Sequence, residues 1–337
     1  MPSGLAKGST VDVLGIGNAI VDVVAQSEDA LVTELGLEKG AMTLIEEARS
    51  EELYKRMAPG REISGGSVGN TIAAIASMGG TPAYIGRVKD DQLGRIFAHD
   101  IRAAGVTFGA TPAADGPATA RCLIFVTPDA QRTMQTYLGA CVDLGPEEVE
   151  EELVASAEVT YFEGYLYDKP AAKAACQKAA DICHAKGRLL ALSLSDPFCV
   201  DRWRDEFRDL VANEVDILFA NEAEITSLYQ VHEFDQALQA VRQDVGFAAL
   251  TRGAKGSVVV KGDEVHVIDA VPPSQVLDTT GAGDLYAAGF LRGLTSGFGL
   301  AACGHLGSAA AAAIIGQYGA RSTEPLLPLY EQIERAD

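Results

Sequence analysis

The stretch DTTGAGD, residues 278–284, sets two hydroxyls and a Gly-Ala-Gly triplet between two carboxylates, and the apolar run LYAAGFL follows at once. Glycines let backbone N–H groups converge without side chains in the way, and a helix starting here adds the partial positive charge of its N-terminus. Gly281, Ala282 and Gly283 therefore read as an anion hole built without cations. A resting phosphate would repel a carboxylate beside it. Asp284 is better explained as a general base that takes a proton from an attacking hydroxyl while the N–H groups stabilise the developing charge. The competing reading of Asp284 is a helix N-cap.

Other nucleotide motifs fail at the residues that would carry them. TRGAKGS, 251–257, puts Lys255 before its second glycine, so it is no Walker loop, and GIGNAIVD, 15–22, has Ile20 where a dinucleotide fingerprint needs its third glycine. The formal net charge of −20 argues against a general basic surface for nucleic acid or anionic lipid, which leaves anions to local devices. Six cysteines without a CxxC pair suggest neither zinc nor a disulfide frame. The first ten residues, MPSGLAKGST, lack the apolar core of a signal peptide, and SAAAAAIIG is too short to span a bilayer. A cytoplasmic protein is expected.

Short apolar or β-branched runs must position these groups: 11–17, 82–88, 159–164, 188–195, 215–221 and 247–253. They alternate with amphipathic stretches such as VGNTIAAIASMGG and PAAKAACQKAADICHAKG, most ending in glycine. Strands alternating with helices predict an α/β fold whose central, mostly parallel sheet is covered on both faces, with ligands beyond the C-terminal strand ends. Residues 23–46 and 107–137 break the rhythm with period-two alternation and turn signals such as TPDAQ. They predict a small β lid of residues 23–63 and 107–137 on a core of 1–22, 64–106 and 138–337, useful where water must be excluded.

DTTGAGD closely resembles the C-terminal signature of the ribokinase family, the PfkB-type carbohydrate and nucleoside kinases, and GGSVGNTIAAIASMGG, 65–80, resembles its N-terminal glycine-rich signature. GNAIVD, ALSLSDPF, VDILFANEAEI and GHLGSAAAAAIIGQYGA extend the resemblance over almost the whole chain, and several of these look most like the adenosine kinases of the family. The resemblance implies a ribokinase-like fold and an ATP-dependent kinase acting on the 5′-hydroxyl of adenosine or a related nucleoside. The alternatives are a sugar kinase of the ribokinase or fructokinase type and a ligand-binding regulator that keeps the fold without the catalysis.

Residue by residue, the resemblance makes Asp22, beside Asn18 in GNAIVD, the carboxylate that accepts hydrogen bonds from two sugar hydroxyls, a task suited to its two oxygens. Gly65 and Gly66 would let the backbone approach the ribose, and Asn70 would bind its hydroxyls. Asn221 and Glu224 of NEAE match the family's N-x-x-E and would organise Mg²⁺ through its waters, as suits oxygen ligands. Arg132 matches a lid arginine that reaches the transferring phosphoryl group. Thr251, Gly253, Gly256 and His305 match positions along the ATP purine and phosphates, and Asp278 one beside a monovalent cation, K⁺. Around the acceptor base the matching residues are Tyr165 and Leu166, facing Met134, Thr136 and Leu138, with Leu166 where an aromatic group is expected. A monomer or homodimer binding only small molecules follows. Local alternatives stand beside these roles: a capped strand end for Asp22, plain packing for the glycines, a solvated helix start for NEAE, an exposed hairpin position for Arg132 and a helix surface for His305.

Overall fold

In the computed structural model, which describes residues 11–129 and 131–335, the apolar runs become strands ending at one common edge. The stretch MPSGLAKGST and Ala130 of the expected TPDAQ turn lie outside the described residues. In chain order the strands are β1 (Val11–Ile16), β2 (Ile20–Gln26), β3 (Met42–Leu44), β4 (Arg61–Ser64), β5 (Ala83–Ile85), β6 (Ala120–Val126), β7 (Arg132–Tyr137), β8 (Ala157–Glu163), β9 (Leu189–Ser193), β10 (Ile217–Asn221), β11 (Phe247–Thr251), β12 (Ser257–Lys261) and β13 (Glu264–Ile268).

The large sheet has the order β13-β12-β11-β10-β9-β8-β1-β5. Its strands from β5 to β11 are parallel, and each is apolar on both faces because helices cover both. Val13, Tyr161, Ala191 and Phe219 join the core under the helices Ser67–Ser77, Ala282–Thr295 and Leu300–Ile315. Their neighbours Leu14, Phe162, Leu192 and Leu218 join the opposite core under Pro170–Ala185 and Pro197–Asn213. The strands β12 and β13, absent from the sequence expectation, add an antiparallel hairpin in which Lys261 opposes Glu264. A two-residue turn at Gly262 and Asp263 suffices there, whereas a parallel strand would have needed a crossover helix.

The second sheet, β3-β7-β6-β2-β4, joins the two insertions through the parallel pair β2 and β6, with Asp22 opposite Cys122. Its extent differs from the expectation. The sheet begins at Ile20, and the stretch 23–46 also holds the helix Asp29–Glu34, formed where Leu31, Val32 and Leu35 follow helical spacing. Residues 107–113 lie beside the large sheet, bridging Ala83 to Thr107 and Lys89 to Ala113. They supply partners to the otherwise unpaired backbone of β5, so the second segment enters the small sheet only at β6. All six cysteines are buried free thiols, and among the described residues no helix is long and apolar enough to cross a membrane.

Candidate functional site

Two helices point their N-termini at the same spot beyond the strand ends. Ser67–Ser77 starts at Gly66, and Ala282–Thr295 starts at Gly281; both glycines are left-handed, with φ +84° and +79°. A side chain on Gly66 would strike the Asn18 carbonyl, and one on Gly281 would put its Cβ 2.7 Å from that of Ala320. Asp284 is the third residue of its helix, so Gly281 and not Asp284 holds the N-cap position. Its carboxylate crosses to the other helix, accepting from Ser67 Oγ at 2.6 Å and Asn70 Nδ2 at 2.9 Å. Burial raises its pKa, against the pull of those two donors and of Arg321.

A cavity of about 270 Å³ opens here, lined by Ser67, the 281–284 segment, Asn221, Glu224 and Thr251. Ser193 and Ser195 also line it and were not singled out from the sequence. Ser195 holds a left-handed backbone at φ +73°, uncommon for a non-glycine residue. The paired hydroxyls of LSLSDP, just before a helix-starting Asp-Pro, were the available signal.

Toward β2 and the start of the helix Ser67–Ser77 stand Asp22, Asn18, Gly65, Gly66 and Asn70. Burial pushes Asp22 up to about 6, Arg132 and Arg321 pull it down, and Asp284 adds repulsion, so these four charged groups share one neighbourhood. Two residues escaped the sequence reading. Glu163, at the end of β8, accepts from Asn18 N at 3.0 Å, Asn18 Nδ2 at 2.8 Å and Val68 N at 2.9 Å, fixing Asn18 and the first turn of Ser67–Ser77. Burial pushes it up to about 7. Arg321 is the other, from the loop against Gly281.

At the end of β10, Asn221 N-caps the helix Glu222–Tyr229 and Glu224 closes a capping box with it. Glu224 Oε2 accepts from Asn221 N at 2.8 Å, and Oε1 from Asn221 Nδ2 at 2.6 Å. Burial pushes Glu224 up to about 7. Both oxygens are engaged within the motif, and among the described residues no three His, Cys, Asp or Glu side chains converge to hold a metal. Thr251 ends β11 at the cavity, but Gly253, Gly256 and His305 do not line it. Gly256 is packed against the backbone at Ile268, and His305 is exposed on Leu300–Ile315.

The small sheet meets the segment 278–284 through Arg132. Arg132 forms an ion pair with Asp278 in which the two side chains are only 10 % and 7 % exposed, so it is no free hairpin arginine. Asp278 also accepts from Thr280 N through Oδ1 and Gly319 N through Oδ2, both at 2.9 Å. Burial opposes its charge, but the Thr280 and Gly319 hydrogen bonds and Arg132 hold the pKa low. These residues do not fit the expected monovalent cation, because the carboxylate meant for it is already neutralised by a guanidinium.

In register with Asp22 across the lid come Cys122 and Thr136; in the next row come Ile124, Met134 and Met42. Met42 and Leu44, about half exposed, extend this face and were not named from the sequence, although AMTLI alternates as a strand should. Leu138 follows β7 at the turn into the core. Leu166 corrects the expectation: it is 2 % exposed and packs in the core beneath Pro170–Ala185. The 3₁₀ turn Gly164–Asp168 sends successive side chains about a third of a turn apart, leaving Tyr165 outward and Leu166 inward.

Residues 40–327 match the family described as pfkB family carbohydrate kinase. Solved structures resemble nearly the whole chain, two of them at half identity or more. The adenosine kinase from Sinorhizobium meliloti is 54 % identical with a TM-score of 0.88, covering 96 % of this chain and 99 % of that one. A probable sugar kinase from Rhizobium etli is 50 % identical with a TM-score of 0.89, covering 97 % and 99 %. Adenosine kinase 2 of Arabidopsis thaliana is 24 % identical over 94 % of this chain and 97 % of its own.

Proposed function

Because the chain belongs to the pfkB family of carbohydrate kinases, phosphotransferases that act on hydroxyl groups, we propose that it transfers the γ-phosphoryl group of ATP to the 5′-hydroxyl of adenosine or a close nucleoside relative. The observation that carries this reading is Asp284, placed between two helix N-termini with Asp22 in the same neighbourhood. Asp22 and Asn70 bind the ribose hydroxyls, with Asn18 beside them held by Glu163. The 5′-hydroxyl gives its proton to Asp284 as its oxygen bonds to the γ-phosphorus, and the bond from that phosphorus to ADP breaks. Backbone N–H groups of Gly281, Gly283 and Asp284 receive the phosphoryl charge, as donors of a first helical turn are disposed to do, while Ala282 N–H is held by the Thr279 carbonyl.

Kinases of this family use ATP with a divalent metal. Asn221 and Glu224, oxygen-bearing side chains at the cavity, would hold Mg²⁺ through its waters, and the ion would supply charge neutralisation at the phosphates. Arg132 has donors left beyond Asp278 and adds positive charge from the lid.

The acceptor choice rests on the lid. Beyond Asp22 its face offers Met134, Met42, Leu44 and Thr136, a largely apolar wall suited to a flat base and superfluous for a bare sugar. The 54 % identical adenosine kinase favours the same choice. A sugar acceptor is the second reading, favoured by the 50 % identical probable sugar kinase. Comparing kcat/KM for adenosine, ribose and fructose with ATP tests them. Adenosine is expected to rank first, and a higher value for either sugar would move the protein to the sugar branch.

A further inference from the structure

Segment 319–321 runs along the back of the anion loop. Gly319 N donates to Asp278, and Ala320 packs on Gly281. The next side chain, Arg321, turns to the acceptor side. Its Nε donates to the Ser64 carbonyl at 2.9 Å and its Nη2 to Ser64 Oγ at 3.1 Å. Ser64 N and Oγ donate in turn to Asp100 Oδ2, at 2.8 and 2.7 Å. Ser64 directly precedes Gly65 and Gly66, and its strand β4 pairs with β2 at Asp22. One arginine thus ties the loop that would hold phosphate to the loop that would hold the acceptor.

The guanidinium is also unusually placed. Arg321 Nη1, Asn70 Oδ1 and the Tyr84 hydroxyl are sealed from solvent without a protein partner. Idle buried polar groups cost stability unless a bound group completes them or they serve another end. Arg321 feels Asp22, Asp284 and Asp100 together. Asp22 is faced by Arg132 from β7, Cys122 from β6, Asp284 from its helix and Arg321. Asp284 is faced by Ser67, Asn70 and Arg321, with Tyr161 and Glu163 deeper. Arg321 is further faced by Asp100 and Tyr84, and Arg61 and Glu324 line the groove beside it. Of the cations near Asp22, Arg132 comes from the lid and Arg321 from the core.

We propose that Arg321 is the positioning residue of the phosphotransfer site, clamping the acceptor loop at Ser64 to the anion loop and keeping a buried positive charge beside Asp22 and Asp284. This rests on the reading of those two acids as acceptor ligand and base. Two Asp carboxylates crowded together favour a proton on one of them; a fixed guanidinium keeps both charged and ready. Its carbonyl, receiving Gln317 Nε2 at 2.7 Å, anchors the clamp from behind.

The test uses Arg321→Met and Arg321→Lys in the full chain, with adenosine and ATP. In Arg321→Met, adenosine KM should rise about tenfold or more while ATP KM stays within about twofold, and the acid limb of kcat/KM should move up by about one pH unit. Arg321→Lys restores charge without the forked geometry, so its acid limb should return while adenosine KM stays raised. A folded Arg321→Met with unaltered adenosine KM and acid limb would overturn the proposal, as would equal losses for both substrates. If Arg321→Met does not fold, Arg321→Lys decides, and normal adenosine KM there overturns the clamp. A wild-type protein that phosphorylates no nucleoside or sugar overturns the functional reading first and this inference with it; an active wild type isolates the failure to Arg321.

Discussion

Asp284 and Glu224 occupy the same local position, the third residue of a helix that opens onto the cavity, yet they end in different roles. Glu224 follows an asparagine N-cap and turns back to it, closing a capping box that satisfies both of its oxygens. Asp284 follows a glycine N-cap, is one methylene shorter, and meets Ser67 and Asn70 of a neighbouring helix instead. A short acid after a side-chain-free cap is left for tertiary partners; a longer acid after a polar cap is absorbed by its own helix. Acid type and N-cap residue together separate a carboxylate that bonds across helices from one that bonds within its own.

The sharpest way to break this contrast is Asp284→Asn, which keeps size but cannot take a proton. kcat should fall about 10²–10⁴-fold, with ATP affinity and melting temperature nearly unchanged. Near-normal turnover would remove Asp284 from the mechanism.

A strand-borne acid sharpens it next. Asp22 is pushed up to about 6 by burial, so it gains a proton as pH falls through 6 and loses acceptor capacity toward two hydroxyls. kcat/KM for adenosine should fall roughly tenfold per pH unit below that point, since this ratio reports the free enzyme. In Asp22→Asn the limb at 6 should vanish, and a limb that stays in place assigns it to another group.

The smallest effect on the acceptor belongs to Glu224, whose loss is read on the helix it caps and on the metal side. Glu224→Ala removes half of a capping box, worth about 1 kcal/mol, and should lower the melting temperature by roughly 2–4 °C. Adenosine KM should not move, because Glu224 lies on the nucleotide side; a raised adenosine KM would erase the distinction from Asp284.

Most of the fold was legible because it is written in contiguous residues. Apolar runs of strand length between amphipathic segments announce a helix-covered parallel sheet, and the β12–β13 hairpin was missed only because its alternating residues follow the last run that carried a helix. The glycine turn was legible for the same reason: Gly281, Gly283 and Asp284 lie within one turn of a helix start. The lid was half legible, since period two marks strands but does not say where they pair, and 107–113 went to the edge of β5.

The sequence alone therefore determined the parallel sheet, the glycine turns and the family, all set by backbone preference and spacing over a few residues. Only the tertiary structure decided which motifs meet. Asn18 and Glu163 are 145 positions apart, Arg132 and Asp278 146, Ser64 and Arg321 257. No periodicity links such residues; they pair because helices packed on a twisted sheet bring distant loops to the same strand ends, where burial makes every unmatched charge costly and selects its partner.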